Sequence, residues 1–101
     1  MASRLDLHKK LIEILGSNNV YYQPPESLKI QYPCIIYSLT GIDNTYADDD
    51  VYLQKRQYEI TVVDFDPDNE LIDKMSKFPY TSYTRHYNSD GLNHDVFRTY
   101  F

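Results

Sequence analysis

The chain has 101 residues, of which 42% are hydrophobic and 25% charged, and its formal net charge at pH 7 is −5. This length predicts a single domain spanning 1–101. The negative charge excludes non-specific binding of nucleic acid, which requires a basic surface. The single cysteine, Cys34, excludes an internal disulfide framework and is typical of a protein made in a reducing compartment.

The first predicted element is an amphipathic helix over residues 3–15. Its leucines and isoleucines gather largely on one side, with charged side chains on the other. Ser3 is placed to cap the start, Asp6 lies in the first turn, where a negative charge is favoured, and Gly16 is placed to end the helix. The opening "MASRLDLHKKL" has no apolar segment typical of a signal peptide, and no apolar run reaches membrane-spanning length. We therefore expect synthesis in the cytosol and no membrane partner.

Three strands are predicted next. "VYYQPP" (20–25) is a short strand that two prolines end. "CIIYSLTGI" (34–42) is rich in β-branched and aromatic residues, and "VYLQKRQYEITVVDF" (51–65) is the longest strand. The segment "GIDNTYADDD" (41–50) between them predicts a polar, mobile loop.

The remaining chain predicts a helix and a hairpin. "DPDNELIDKMSKF" (66–78) has an apolar stripe at helical spacing, with Asp66 or Asp68 as the N-cap. Two strands, 80–88 and 94–101, flank "SDGLN", whose Asp-Gly pair is a hairpin signal in a loop longer than the tightest type. The order α-β-β-β-α-β-β predicts an α+β fold, with a mostly antiparallel sheet of about five strands and two helices on one face.

The acidic clusters are the first candidates for chemistry. Asp64, Asp66 and Asp68 alternate like the start of a calcium loop, but Asn69 and Met75 occupy the positions where such a loop needs Gly and Glu. A strand end followed by helix capping explains these carboxylates better. In "ADDD" (47–50), neighbouring carboxylates repel one another, which favours a solvated loop over a metal cage.

Other reactive residues give weak signals. A metal site is conceivable at the hairpin end if it brings together His86 and His94, with Asp90 and Asp95 nearby. The spacing of these residues matches no closed zinc pattern. Cys34 lacks a neighbouring base, which favours a buried, unreactive thiol. No phosphate-binding loop or nucleophile motif is present. The sequence predicts no enzyme and no cofactor, although a small metal-binding enzyme using these groups is an alternative.

Four motifs occur together along nearly the whole chain: "VYYQPP", "YPCIIY", "YADDDVY" and "YEITVVD". With the amphipathic N-terminal helix and the closing "HYNSDGLNHDVFRTYF", this pattern resembles small tail-terminator or tail-completion proteins of long-tailed bacteriophages. None of the motifs marks a catalytic site.

The resemblance implies a structural virion protein of the tail or neck, assembled in the host cytoplasm. Such proteins form a ring, usually a hexamer, on the head-proximal end of the tail tube, where they stop tube polymerisation and join the filled head. The implied partners are copies of the chain, the tail tube protein and head–tail connector proteins, with DNA passing through without specific binding. Two alternatives are a connector stopper protein and a host-directed interaction module.

A ring of this kind needs contact surfaces and a channel that DNA does not adhere to. Tyrosine is enriched in interfaces, and an acidic wall repels phosphate. The resulting interface or lumen candidates are Tyr46, Asp48, Asp49, Asp50, Tyr52, Asp64 and Asp66. The simpler interpretation is that the aspartates maintain solubility and the tyrosines are half-buried sheet residues.

Overall fold

The computed structural model describes residues 3–25, 28–47 and 50–101. The chain forms two helices and five strands in the predicted order α-β-β-β-α-β-β, and the α+β class is confirmed. The elements are α1 (Arg4–Leu15), β1 (Val20–Tyr22), β2 (Cys34–Ala47), β3 (Asp50–Asp64), α2 (Leu71–Ser76), β4 (Thr81–Ser89) and β5 (Leu92–Tyr100).

The N-terminal helix has the boundaries that its sequence signals predict. The Ser3 side chain accepts a hydrogen bond from the Asp6 N–H, and the Asp6 carboxylate accepts one from the Ser3 N–H, which completes a capping box. Gly16 ends the helix in the left-handed conformation, with φ of 81°, where a side chain would be strained. Leu7 and Leu11 are fully buried, so the predicted apolar face packs on the sheet.

The five strands form one sheet in the order β1-β2-β3-β5-β4. All neighbouring pairs are antiparallel except β1 and β2, which are parallel with Val20 opposite Ile35. The sheet is therefore mostly antiparallel, as predicted, and the β1–β2 pair is the exception. The connection after Tyr22 returns the chain to the end of the sheet where β1 began, so Cys34 starts a strand in the same direction.

The main core lies between the helices and one face of the sheet, which we call the helix-side face. It contains Leu7, Leu11, Val20, Ile35, Tyr37, Tyr58, Ile60, Val62, Leu71, Met75 and Phe97. A smaller cluster of Cys34, Val63 and Leu92 lies on the opposite face. Burial of these side chains is the main source of stability. None of the helices within 3–25, 28–47 and 50–101 is long and apolar enough to cross a membrane.

The second helix begins later than predicted. Its N-cap is Glu70, whose side chain makes no capping hydrogen bond, so the assignment of Asp66 or Asp68 as the cap is wrong. Asp66 instead accepts a hydrogen bond from the backbone N–H of Asp68 at 2.9 Å, and Asn69 accepts one from Leu71 at 2.7 Å. These local turns satisfy the polar groups before the helix starts.

The β4–β5 hairpin is tighter than predicted. Its loop contains only Asp90 and Gly91, with φ of 54° and 75°, and Ser89 pairs directly with Leu92. Positive φ at both loop residues is the signature of a type I′ turn, which suits the twist of the flanking strands. The predicted longer loop is wrong because Leu92 already belongs to β5, where it is buried.

Candidate interaction surface

A two-stranded arm extends β2 and β3 beyond the rest of the sheet. It comprises residues 41–47 and 50–56, which pair from Ile42 opposite Arg56 to Ala47 opposite Asp50. The molecule is 51 Å long but only 29 and 23 Å in its other dimensions. The prediction of a mobile loop over 41–50 is wrong for 41–47 and for Asp50, because cross-strand hydrogen bonds satisfy their backbone as a ladder.

A β-bulge separates the arm from the body of the sheet. The pairing register shifts between Leu39 and Gly41, leaving Thr40 as the extra residue. The Thr40 hydroxyl donates to the carbonyl oxygen of Gln57 at 3.2 Å and so fixes the bulge across the pair. Bulges increase local twist and change the direction of a strand, so this one sets the orientation of the arm.

The helix-side face of the arm is a polar ladder. The Arg56 Nε donates to the Gln54 side chain at 3.2 Å, and the Gln54 amide donates to Asn44 at 3.0 Å. The Asn44 amide in turn donates to the Tyr46 hydroxyl at 3.4 Å. Ile42 and Tyr46 on this face are 45% and 62% exposed. The arm therefore presents an ordered surface with apolar groups open to a partner.

The opposite face of the arm carries charges of opposite sign on its two strands. Asp43 lies directly opposite Lys55, and both side chains are exposed. Cross-strand pairs of opposite charge favour the observed register. Asp43 is the sole charged residue in the β2 half of the arm, 41–47.

Strand β4 forms one lateral edge of the sheet and is exposed along almost its whole length. Every residue from 82 to 89 is exposed. The segment contains no Asp or Glu, and Arg85 gives it positive charge. Tyr80, next to the strand, is 84% exposed, and Tyr83 and Tyr87 within it are 49% and 41% exposed. An edge strand with unpaired backbone groups is a template for another strand.

The structure separates the predicted site residues into two distant groups. Tyr46, Asp50 and Tyr52 belong to the arm, whereas Asp48 and Asp49 lie outside the described residues. Asp64, at the far end of β3, is about 45 Å from Asp50 at the rise of an extended strand. Asp66 follows Asp64 at that same end. The two acidic groups cannot share one catalytic or metal site.

Asp64 has a structural role at the end of β3. Its carboxylate accepts hydrogen bonds from the backbone N–H of Phe65, at 2.7 Å, and from the side-chain amide of Asn69. These bonds turn the chain out of the sheet toward α2, without capping the helix. Among the side chains that the structure describes, those of 3–25, 28–46 and 54–101, no three of His, Cys, Asp or Glu are grouped closely enough to hold a metal ion.

The hypothesis that His86 and His94 converge is wrong. His86 pairs with Asp95 and His94 with Tyr87, at successive positions whose side chains point to opposite faces of the sheet. His94 stacks on the Tyr87 ring with 4.5 Å between centroids. His86 hydrogen-bonds Asn93 at 3.2 Å. Each histidine has its own local partner, so the hairpin does not bring the two imidazoles to one metal.

Cys34 is completely buried, as expected. Burial raises the pKa of its thiol to about 12, with a smaller contribution from the Asp64 charge. A thiol that remains protonated is a poor nucleophile and a poor metal ligand.

A polar cluster under α1 was not predicted from the sequence. The hydroxyl of buried Tyr37 lies 2.6 Å from Nδ1 of His8 and accepts a hydrogen bond from Arg4 at 3.2 Å. The Arg4 guanidinium also lies over the Tyr22 ring, 4.4 Å from its centroid. The spacing of Arg4 and His8, four residues apart on one helix, was the available signal. The cluster satisfies a buried hydroxyl and ties α1 to the sheet.

The protruding arm and the exposed β4 edge are thus the strongest candidates for function, and both are suited to contact other macromolecules. No model of a known protein family matches the chain. A search of the curated proteins finds no match either.

Proposed function

We propose that this chain is a structural protein of the neck of a long-tailed bacteriophage. In this role it forms a ring on the head-proximal end of the tail tube, ends tube polymerisation and joins the filled head. The pattern of tyrosine-rich motifs described above supports the choice of this family.

The arm is the observation that carries the proposal. A domain of 101 residues extends two strands, 41–47 and 50–56, away from its core. The side chains from Ile42 to Tyr46 are exposed. A small protein gains little stability from such an extension, because the hydrophobic contribution follows the apolar area removed from water. An arm of this form is suited to binding neighbouring subunits or the end of a tube.

The proposed ring requires contacts between two different patches on each subunit. A heterologous contact of this kind closes into a ring when the rotation between subunits closes. The chain has two separate exposed surfaces, the arm and the β4 edge, as such a contact requires.

The charge of the chain is compatible with a channel for DNA. The net charge of −5 disfavours adhesion to phosphates. Asp50 begins β3, and Asp64 and Asp66 lie at its other end. A single channel wall therefore contains both ends only if this strand runs lengthwise along it. Under this proposal the protein is not an enzyme and needs no cofactor.

The first test is the mass of the protein in solution, measured by light scattering over a concentration series with and without purified tail tubes. We expect a ring, with a hexamer of the 12.0 kDa chain as the leading candidate, either free or only when tubes are present. Capped tubes should also stop growing when more tube protein is added.

Repeating this measurement with the portal–adaptor complex in place of tail tubes separates the proposed role from that of a connector stopper. A terminator binds the end of a tail tube, whereas a stopper binds the portal–adaptor complex instead. A chain that remains monomeric and binds neither assembly would overturn the proposal. The matched variant carries Ile42→Ser and Tyr46→Ser. It keeps the residues that pair in the arm but loses two exposed apolar side chains, and its mass and tube binding are compared with those of the unchanged chain.

A further inference from the structure

The outer edge of β4 has backbone groups free to pair with another strand. In a two-residue hairpin, the two residues that flank the turn exchange backbone hydrogen bonds with each other. Every second residue along each strand then exchanges backbone hydrogen bonds with the residue opposite it. From the pair of Ser89 with Leu92, this rule directs the backbone groups of Tyr87 and Arg85 toward β5. The N–H and C=O groups of His86 and Asn88 then point to the open edge.

The β2 half of the arm has a second open edge. β1 pairs with β2 only at 35–37, and the Gln23 N–H bonds the Tyr37 carbonyl at the end of this contact. The only strand paired with 41–47 within the described part of the chain is β3, on the inner side. The outer edge of 41–47 therefore lies on the opposite side of the sheet from β4.

We propose that the open edge of β4 pairs with the β2 arm strand, 41–47, of a second copy of this chain. The inference rests on the self-association in the proposed function and names the surfaces that produce it. The strand directions agree with this pairing. Going across β2, β3, β5 and β4, each neighbour is antiparallel to the last, so β4 runs opposite to β2. A second copy in the same orientation would add its arm strand antiparallel to β4 and continue the sheet.

The side chains match on both faces of this continued sheet. Tyr83 lies on the helix-side face of β4, where its ring packs edge-on against Phe97. Ile42 and Tyr46 lie on the helix-side face of the arm, so aromatic and aliphatic groups come together on the same side. Aromatic and β-branched cross-strand pairs are among the most favourable in sheets.

The charges match on the other face. Arg85 pairs with Val96 and lies on the face opposite the helices, as Asp43 does in the arm. Among residues 3–25, 28–46 and 54–101, whose side chains the structure describes, the one ion pair is between Lys74 and Glu70, so Arg85 has no carboxylate partner among them. The pairing brings a positive and a negative strand together, which favours this partner over a like-charged one.

The positions of β4 and 41–47 along the strand direction also determine how one copy is displaced relative to the next. β4 lies beside the body of the sheet, whereas 41–47 extends beyond it, so each copy is displaced along the strands relative to the next. Such a stagger is compatible with a closed ring when the strands tilt relative to the ring axis, as in barrels.

A proline at the open edge tests the backbone pairing. Asn88→Pro removes an outward N–H and adds a ring there, but leaves the β4–β5 hydrogen bonds in place. Asn88→Ala loses the same side chain and keeps the N–H, which makes it the matched control. We expect the proline variant to associate at least about tenfold more weakly than the alanine variant, with the same circular dichroism spectrum. Equal association of the two folded variants would overturn the proposal.

Cysteine cross-linking tests the identity of the two strands. We would compare Asp43→Cys and Ser82→Cys chains, alone and mixed, using a short bis-maleimide; Cys34 is buried and should not react. A heterologous contact predicts a mixed dimer well above the level of either variant alone. The reaction is run on the free protein at high concentration and again with tail tubes.

The outcomes separate this inference from the proposed function. A mixed dimer without any tube binding supports the strand pairing and contradicts the terminator role. Capped tubes without a mixed dimer support that role and overturn the pairing, and a dimer formed as readily by one variant alone indicates an isologous contact and also overturns it.

Discussion

The Tyr37 hydroxyl lies 2.6 Å from Nδ1 of His8 and joins the buried centre of β2 to the exposed helix α1. Arg4 donates to the same hydroxyl, so with Nδ1 unprotonated the tyrosine O–H donates to it and all three groups are satisfied. The surroundings of His8 favour a neutral imidazole, since the positive Arg4 side chain bonds the same hydroxyl. Burial, together with the nearby Arg4 charge, lowers the pKa of His8 below its ordinary value of 6.5.

This relationship predicts a loss of stability in mild acid. The unfolded chain takes up a proton on His8 near pH 6.5, whereas the folded chain resists it until the pH reaches the lower folded pKa. The free energy of unfolding should therefore fall as the pH drops through this window. Urea unfolding at a series of values from about pH 7.5 to about pH 5 measures the effect.

The control for the pH experiment is His8→Gln, which cannot take up a proton. We expect a smaller decline in stability over the same pH range for this variant, although it is less stable at neutral pH. An unchanged pH dependence would assign the decline to other groups. Tyr37→Phe should cost about 1 to 2 kcal/mol at neutral pH, since it leaves His8 and Arg4 without their shared partner.

A second prediction concerns the hydrogen bond between Tyr83 and Asp95. The Tyr83 hydroxyl donates to the Asp95 carboxylate at 2.9 Å, and Asp95 is only 5% exposed. Tyr83→Phe should reduce the free energy of unfolding by about 1 to 2 kcal/mol, because a largely buried carboxylate loses a donor. Urea unfolding compares it with Tyr87→Phe, where the ring is exposed and we expect little change. Equal stability of the two variants would show that water replaces the Tyr83 hydroxyl.

The first helix was predictable because its signals are local. Ser3 and Gly16 each adopt the backbone conformation that their residue type favours, and Leu7 and Leu11 follow the helical period. Most of the strands were predictable for the same reason, since 34–39 and 58–63 contain β-branched and aromatic residues that suit a half-buried sheet.

The β3 half of the arm was predicted as part of the strand 51–65, but the β2 half beyond Ile42 was not predictable, because residues 43–46 are all exposed. Strand prediction relies on an apolar face, and 41–47 lacks a continuous one, so polar residues were interpreted as a loop. Cross-strand hydrogen bonds such as that from Gln54 to Asn44 hold it together instead, and these appear only once the register is known. The separation of His86 from His94 likewise depends on register, because successive positions face opposite sides.

A third prediction concerns the reactivity of Cys34. Its thiol is completely buried and has a raised pKa of about 12, so a maleimide or disulfide reagent at pH 8 should not modify the folded protein. Labelling should accelerate with added urea in parallel with unfolding. Ser82→Cys places a thiol on exposed β4 and should react at once. Rapid modification of the unchanged chain in native buffer would contradict the burial of Cys34.

The arm provides the last prediction, which separates folding from assembly. Replacing residues 43–55 with Asn-Gly joins Ile42 to Arg56, which already face each other, through a two-residue turn. Because Ile42 and the side chains from 43 to 46 are exposed, the free energy of unfolding should change by less than about 1 kcal/mol. Phe97→Ala, in the main core, should instead cost about 3 to 5 kcal/mol.

The shortened chain should fail to associate with itself and with tail tubes, as light scattering and tube sedimentation would show. Its comparison is the destabilised Phe97→Ala chain, studied at a temperature where it remains folded, which retains the arm and should still associate. If the shortened chain assembles normally, the arm is not the contact surface. If it unfolds, the arm contributes to the folded domain and does not act only as an appendage for partners.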